Sequence, residues 1–274
     1  MPYADVDGAR LHYATQGTGP PVLFLHGTGA SSFIWERSIA DLPPGCRLIT
    51  YDRRGFGASQ GILARSLRDH VDDGAALLQQ LGAVPAAVVT QSGGAPIALA
   101  LAIAHPKLVS ALVMAEPAYQ VALHPSLSVS RAMGKTVGRW LLRRDPEGAA
   151  LGYYRWASRF TTGGNGYDTY PEEWRSTAMK HARATLHEVV QLVPPWPRAK
   201  AVRRISCPTT LLIGDVGEPV FRRTTRRVHR LLPHARMVAV SQTGHLIPAD
   251  QPRAFAEAVS DALGIREPHL TPDG

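Results

Sequence analysis

The sequence of 274 residues predicts an α/β fold with a mostly parallel central sheet, helices on both faces and an inserted, mainly helical cap. Three observations favour this class. Short apolar runs with β-branched residues recur along the chain and are typical of buried parallel strands. Helical stretches lie between most of these runs, as in a parallel sheet that helices cover on both faces. Between residues 118 and 200 the alternation stops, which indicates a separate helical piece.

The predicted elements follow in chain order. Residues 2–6 and 10–16 predict a hairpin around Asp7 and Gly8. The buried parallel strands are expected at residues 22–25, 48–51, 87–89, 108–114, 210–213 and 237–240. The helices that cover them are expected at residues 69–81, 95–104, 221–232 and 252–263.

The segment of residues 118–200, called the insertion below, mixes helical pieces with glycine-rich and proline-rich breaks. We assign residues 1–117 and 201–265 to the core, the insertion to a cap subdomain, and residues 266–274 to a frayed C-terminal tail. The insertion holds ten of the chain's nineteen aromatic residues, and some of these rings are expected to line a substrate pocket. The expected substrate-binding residues are Trp140, Tyr153, Tyr154, Trp156, Trp174 and Trp196.

Composition excludes several classes of function. No apolar run reaches the ~20 residues that span a bilayer, and the N-terminus lacks the pattern of a secretory signal, so we expect a cytoplasmic protein that does not bind membranes. The net charge of +8 comes partly from basic runs without a recognition motif, and we expect no nucleic-acid partner. Cys46 and Cys207 lack the spacing of a disulfide framework or zinc site. We expect a small-molecule substrate, no metal and no cofactor; the sequence leaves a homodimer open.

The segment around Ser92 predicts a nucleophile elbow. Ser92 follows a short apolar strand and precedes an alanine-rich helix, which is the setting in which a sharp turn exposes a nucleophilic serine. The turn needs small neighbours, and Thr90, Gly93 and Gly94 supply them, although Thr90 stands where glycine is commoner. Taken alone, the same residues also fit an ordinary helix start with Ser92 as its N-cap.

Two further loops supply partners for this serine. His26, Gly27 and Thr28 follow another strand, and the amide of Thr28 or Gly27 is expected to join the Gly93 amide in an oxyanion hole. A dinucleotide-binding fingerprint is disfavoured there because its third glycine is missing. His245 follows the last strand and is expected to act as the general base, since serine, acid and histidine then occur in the order that this architecture requires.

As a group, these motifs resemble the α/β-hydrolase superfamily over roughly residues 22–263. The histidine-glycine pair at residues 26–27, the loop of residues 52–59, the Ser92 elbow and the glycine-histidine pair at 244–245 occur in the superfamily's order. The resemblance implies an α/β-hydrolase fold, a serine-nucleophile enzyme of the esterase or lactonase type, and a structural role for the loop of residues 52–59.

The resemblance leaves the acid of the triad open. The superfamily usually places an aspartate three residues after the glycine that ends the seventh strand, and here Gly217 occupies that place. Asp215 and Glu218 are close to it. Haloalkane dehalogenases and fungal zearalenone lactonases instead use a glutamate just beyond the sixth strand, which Glu116 matches. Either loop could supply the carboxylate that orients the histidine. We favour Glu116, with Glu218 or Asp215 as the alternative.

These inferences predict a serine hydrolase that cleaves a carboxylic ester or lactone of a medium-sized hydrophobic molecule through an acyl-enzyme. The same framework also serves carbon-carbon bond hydrolases, cofactor-free haloperoxidases and thioesterases. A rival of another class is a non-catalytic small-molecule receptor or binding module that keeps the fold and its pocket.

Overall fold

The structure is a computed structural model that describes residues 2–59, 63–121, 126–191 and 197–265. Its sheet has eight strands in the order β1-β2-β4-β3-β5-β6-β7-β8. The strands are β1 (Tyr3–Val6), β2 (Ala9–Gln16), β3 (Pro21–Leu25), β4 (Arg47–Tyr51), β5 (Ala86–Gln91), β6 (Val109–Ala115), β7 (Thr209–Gly214) and β8 (Arg236–Val240). The strands from β3 onward pair in parallel, whereas β2 pairs antiparallel with both β1 and β4. The predicted α/β class with a mostly parallel sheet is therefore confirmed.

Helices connect and cover these strands. Their bounds are α1 (Glu36–Ala40), α2 (Leu67–Gln80), α3 (Gly94–Ala104), α4 (Leu127–Arg143), α5 (Pro146–Ala157), α6 (Glu172–Lys180), α7 (Ala182–Gln191), α8 (Ala199–Val202), α9 (Pro219–Leu231), α10 (Ile247–Asp250) and α11 (Pro252–Leu263). Each strand predicted from the sequence has a counterpart within a few residues, whereas the short helices α1, α8 and α10 were not anticipated. None of the helices in the described ranges combines the length and apolarity needed to cross a membrane.

The sheet is buried on both faces, as the apolar runs predict. Side chains alternate along a strand, so Leu23 and Leu25 of β3 pack in the cluster that includes α2 and α3. Val22 and Phe24 point to the opposite face and pack with Phe255 of α11. Because both faces are buried, a shift of a central strand would expose its apolar side chains, and the register of these strands is therefore fixed. The register determines which residues lie at the carboxyl end of each strand.

The insertion lies between β6 and β7 and contributes helices α4 to α7. Two of them begin at side-chain caps: Ser126 Oγ accepts from the Val129 amide at 3.1 Å, and Asp145 Oδ1 accepts from the Gly148 amide at 2.8 Å. Hydrogen bonds connect the insertion to loops that follow the strands. For example, the Thr161 amide donates to the Val216 carbonyl at 2.6 Å. These contacts place it beside the edge at which the parallel strands end.

Candidate active site

Ser92 lies at the turn between β5 and α3. Its φ of +52° is in the left-handed region that L-residues rarely adopt, as expected for a strained turn that presents a side chain. The Ser92 amide donates to the Ala115 carbonyl of the neighbouring strand at 3.0 Å. Gly94 has no room for a side chain, because a Cβ there would lie 2.6 Å from the Leu25 carbonyl oxygen. The small residue at this position lets α3 begin directly against β3.

His245 follows β8 and leans over this turn. Its Nε2 lies 2.7 Å from Ser92 Oγ, and its Nδ1 lies 3.0 Å from Glu116 Oε2. Ser92 is 5% exposed, His245 is 1% exposed and Glu116 is fully buried. The structure therefore brings these three sequence-predicted side chains into one hydrogen-bonded chain that is nearly shielded from water.

Glu116 reaches this position because β5 and β6 run in parallel and in register. Gln91 is paired with Ala115, so the next residues, Ser92 and Glu116, leave the sheet side by side. The second carboxylate oxygen of Glu116 accepts a hydrogen bond from the Gly214 amide at 3.1 Å. Both oxygens are thus engaged, and the carboxylate is held in one orientation.

Burial controls the protonation of this pair. Loss of hydration raises the pKa of Glu116, and the hydrogen bond from the Gly214 amide offsets part of that effect. Loss of hydration lowers the pKa of His245, because the charged imidazolium is disfavoured away from water. The imidazole is therefore neutral at neutral pH, which is the form that can accept a proton from Ser92.

The two alternative acids point elsewhere. Glu218 is buried, but its carboxylate pairs with Arg159 and accepts from Ser128 Oγ at 3.0 Å. Asp215 Oδ1 accepts from the Thr243 amide at 3.2 Å. Within the described residues, Glu116 is the carboxylate that contacts His245.

The loop after β3 closes against the turn that carries Ser92. A Cβ on Gly27 would lie 3.0 Å from Ser92 Cβ, and a Cβ on Gly93 would lie 3.1 Å from the Thr28 nitrogen. Only glycine allows the two backbones to approach so closely. Gly27 and Thr28 are thereby held against Ser92 and Gly93, where the sequence predicts an oxyanion hole.

An apolar cavity that is partly open to solvent lies beside Ser92 and His245. Three of the residues that the sequence assigns to substrate line it: Tyr153 and Tyr154 of α5 and Trp174 of α6. The cavity wall also contains residues that sequence reasoning did not assign to substrate: Phe33, Ile34, Tyr167, Tyr170, Arg175 and Leu246. Phe33 and Ile34 had no signal among the motifs, since they belong to the core rather than to the insertion.

The other expected aromatic residues do not line this cavity. Trp140 lies in a surface groove with Arg144 and His187. Trp156 donates its Nε1 hydrogen to Ser128 Oγ at 3.0 Å and packs on Phe221, with ring centroids 5.6 Å apart. Both rings are partly buried against apolar side chains of the insertion. Trp196 lies outside the described residues.

Several residues that the sequence did not single out hold the His245 loop. The Phe221 ring stacks on the imidazole at 3.3 Å between centroids. Gln91 Nε2 donates to the His245 carbonyl at 3.2 Å. Asp250 Oδ2 accepts from the Gly244 amide at 2.8 Å. Burial raises the pKa of Asp250 to about 6.

Chemically, this site presents a hydroxyl, a neutral imidazole and a buried carboxylate in sequence. A serine hydroxyl is a weak nucleophile until an adjacent base removes its proton, and the base works best when a third group orients it. Backbone amides beside the serine can stabilise negative charge that develops on a substrate oxygen. The arrangement can therefore support nucleophilic acyl transfer.

Comparisons with known proteins agree with this architecture. The sequence pattern of the alpha/beta hydrolase family matches residues 22–258. The putative non-heme bromoperoxidase BpoC of Mycobacterium tuberculosis is 30% identical over 274 residues, and the alignment covers 91% of this chain and 96% of the BpoC chain. A putative 2-succinyl-6-hydroxy-2,4-cyclohexadiene-1-carboxylate synthase of Bacillus subtilis is 26% identical over 268 residues, covering 94% and 96%. A thermophilic esterase from Thermogutta terrifontis, solved with malate bound, superposes with a TM-score of 0.79 at 22% identity, covering 96% and 98%.

Proposed function

Because the chain belongs to the alpha/beta hydrolase family, we propose that it is a serine hydrolase that cleaves a carboxylic ester or lactone of a medium-sized hydrophobic molecule. The observation that carries this proposal is the hydrogen-bonded chain of Ser92, His245 and Glu116 beside an apolar cavity. Ser92 is the nucleophile, His245 the general base and Glu116 the acid of the triad. The insertion acts as a cap over the cavity.

The first half of the reaction forms an acyl-enzyme. Glu116 accepts the Nδ1 hydrogen of His245, so that Nε2 is free to take the Ser92 hydroxyl proton. The Ser92 oxygen then bonds to the substrate carbonyl carbon, and the carbonyl π electrons move to its oxygen. When the carbonyl reforms, the bond to the leaving alkoxide breaks, and the alkoxide takes the proton from His245. An ester releases an alcohol at this step, whereas a lactone ring opens and its new hydroxyl group stays attached to the acyl-enzyme.

The second half repeats the same steps with water. His245 takes a proton from a water molecule, whose oxygen bonds to the acyl carbon. Collapse of the tetrahedral intermediate breaks the bond to Ser92 and returns the proton to its oxygen. In both halves the amides of Thr28 (or Gly27) and Gly93 donate to the oxyanion, and removal of one such donor typically costs 10²–10³ in kcat.

The cavity supports a hydrophobic substrate class. Its wall combines the rings of Tyr153, Tyr154, Trp174 and Phe33, which suit an aromatic or branched aliphatic group. Three arginines of the insertion are balanced by carboxylates: Arg139 pairs with Asp145 and Arg155 with Asp168 on the surface. Arg175, which lies in the cavity wall, pairs with Glu172. The preferred ester is therefore apolar and larger than acetate.

A second candidate activity is that of a cofactor-free haloperoxidase. The relative of Mycobacterium tuberculosis that is 30% identical carries the name of a putative non-heme bromoperoxidase, which favours this candidate. It would use the same serine and histidine. Bromination of an organic acceptor by bromide and hydrogen peroxide, compared with ester hydrolysis by the same protein, decides which activity dominates.

The decisive experiment combines turnover with covalent labelling. Purified wild-type protein and Ser92→Ala are assayed on nitrophenyl esters of increasing acyl size and then exposed to a fluorophosphonate probe. We expect wild type to hydrolyse the esters and to be labelled at Ser92, and the variant to lose several orders of magnitude in kcat while its circular dichroism is unchanged. A receptor or binding module would show neither turnover nor labelling in the wild type, and that result would refute the proposal.

A further inference from the structure

A buried arginine braces the loop that carries the proposed oxyanion donors. Arg53 follows β4 and is 1% exposed. Its Nε donates to the His26 carbonyl and its Nη2 donates to the Gly27 carbonyl, both at 3.1 Å. Its backbone amide donates to His26 Nε2 at 3.0 Å. One residue therefore fixes two successive carbonyls and one side chain of this loop.

The charge of this arginine is balanced from the insertion. Arg53 Nη1 donates to Glu188 Oε1 at 2.5 Å, and Arg53 Nη2 donates to Glu188 Oε2 at 3.1 Å. Glu188 Oε1 also lies 3.0 Å from His70 Nε2. This bidentate pair restricts both the position and the rotation of the guanidinium, since two parallel hydrogen bonds define its plane.

The electrostatics agree with an ionised pair. Burial opposes ionisation of Glu188, but Arg53 and His70 more than offset it and hold the pKa of Glu188 well below its usual range. Burial, reinforced by Arg53, lowers the pKa of His26 to about 3 and also lowers that of His70. Both histidines are therefore neutral, and the Glu188 carboxylate supplies the balancing charge.

The same helix touches the loop a second time. Thr185 lies one turn before Glu188 on α7, so both side chains are on one face of the helix. A Cβ on Gly29 would lie 3.3 Å from Thr185 Oγ1, and this hydroxyl is 2.7 Å from the Tyr154 hydroxyl. Helix α7 therefore meets residues 26–29 both directly, at Gly29, and through Arg53.

We propose that Glu188 is a positioning residue that acts through Arg53 to hold residues 26–29 in the geometry required for oxyanion stabilisation. This inference rests on the proposed function. It means that the insertion does more than enclose substrate: the oxyanion donors are aligned only while α7 is docked. Displacement of the insertion would remove the carboxylate of Glu188 from Arg53. The guanidinium would then be unpaired, and neither its position nor that of residues 26–29 would be fixed.

The test compares Glu188→Gln and Glu188→Asp with wild type on a nitrophenyl ester and on an alkyl boronic acid, which bonds to Ser92 and places an oxygen in the oxyanion hole. We expect Glu188→Gln to lower kcat about ten- to a hundredfold with KM within about twofold, since small misplacement of catalytic groups has effects of that order. Boronic acid affinity should fall by a similar factor. Glu188→Asp keeps the charge and should recover part of both losses.

The matched control is Asp73→Asn. Asp73 is also buried and makes a bidentate pair, but with Arg54, the next residue in the chain. It breaks a comparable ion pair without touching residues 26–29, so its kcat and boronic acid affinity should stay within about twofold of wild type. The proposal is overturned if Asp73→Asn matches the Glu188→Gln losses, or if Glu188→Gln leaves boronic acid affinity unchanged.

Two further outcomes are informative. If Glu188→Gln does not fold, Glu188→Asp carries the test, and a kcat and boronic acid affinity equal to those of wild type would overturn the proposal. Failure of the proposed function is seen separately, because wild type would then lack turnover that depends on Ser92 before any Glu188 variant is compared, and both proposals would fall.

Discussion

Replacement of Glu116 by glutamine should reverse the tautomer of His245. The Gly214 amide donates to Glu116 Oε1 at 3.1 Å, so a glutamine at this position must turn its carbonyl oxygen toward Gly214. Its NH₂ group then occupies the place of Oε2, 3.0 Å from His245 Nδ1. An amide donor there requires an unprotonated Nδ1, which moves the ring hydrogen to Nε2. That nitrogen faces Ser92 Oγ at 2.7 Å and can no longer accept the hydroxyl proton.

The magnitude follows from the loss of the base. In serine triads the wrong histidine tautomer costs ~10⁴ in kcat. At 1.36 kcal/mol for each tenfold change, this is about 5.4 kcal/mol of transition-state stabilisation. KM should change little, because Glu116 does not line the cavity and makes no contact with substrate in the proposed mechanism.

The assay measures kcat and KM for a nitrophenyl ester with Glu116→Gln, Glu218→Gln and Asp215→Asn. Glu218 pairs with Arg159 and Asp215 binds a backbone amide, so both control variants should retain most of the wild-type kcat. A mild effect of Glu116→Gln together with a severe loss in either control would refute the assignment of the acid. Unchanged circular dichroism is required of all three variants.

Three further predictions concern the cavity, the insertion and the histidine loop. Trp174→Ala should reduce kcat/KM for large aromatic esters more than for acetate esters, because it removes part of the cavity wall and leaves the triad intact. An equal loss of kcat/KM for both kinds of ester would contradict this prediction. A wild-type preference for acetate esters or for matched carboxylated esters would also contradict it. Glu188→Gln should lower the free energy of unfolding by about 3–5 kcal/mol at pH 7, as for other broken buried ion pairs. The pKa of Glu188 is lowered in the folded protein, so the extra stability of wild type over Glu188→Gln should be complete above about pH 5. It should shrink as the pH falls below ~4.3, the pKa of glutamate in unfolded chains. Urea unfolding in which the stability difference between the two proteins stays constant or grows toward acid pH would refute this prediction. Asp250→Ala should lower kcat and reduce the free energy of unfolding in urea by about 1–3 kcal/mol, because it leaves the Gly244 amide and the Tyr170 hydroxyl without their acceptor. Tyr170→Phe keeps the Gly244 hydrogen bond and the ring in the cavity wall, so it should lower kcat less than Asp250→Ala does; an equal loss would contradict this prediction.

The parts of the fold that could be predicted are those governed by short-range patterns. Apolar runs of a few residues located the parallel strands, because a strand buried on both faces has no polar positions to interrupt it. The turn at Ser92 was predictable for a similar reason, since small residues must flank a serine placed between strand and helix. Once the strands are known to be parallel, their carboxyl ends must share one edge, and residues that follow them become neighbours.

The identity of the acid could not be derived in this way. Glu116, Glu218 and Asp215 all follow strands that end at the same edge, so position alone leaves three candidates. The direction of each carboxylate depends on partners that are distant in sequence. Glu218 turns toward Arg159 in the insertion, whereas Glu116 is fixed by the Gly214 amide. Sequence spacing contains no information on either contact.

The aromatic residues of the insertion illustrate a second limit. Tyr153, Tyr154 and Trp156 lie within one turn of α5, and yet the two tyrosines line the cavity while Trp156 packs on Phe221. Aromatic rings pack equally well between helices and around a ligand, so composition does not distinguish the two environments. The rotation of α5 about its axis, set by its contacts with α4 and α7, makes the difference.

The core and the insertion supply different parts of the candidate site. Ser92, His245 and Glu116 all stand on loops of the core, where a buried sheet fixes their positions. Most of the aromatic cavity wall comes from the insertion, which contacts that core at a few defined points such as Glu188. A change in the insertion can therefore alter the cavity without moving Ser92, provided that Glu188 of α7 still pairs with Arg53.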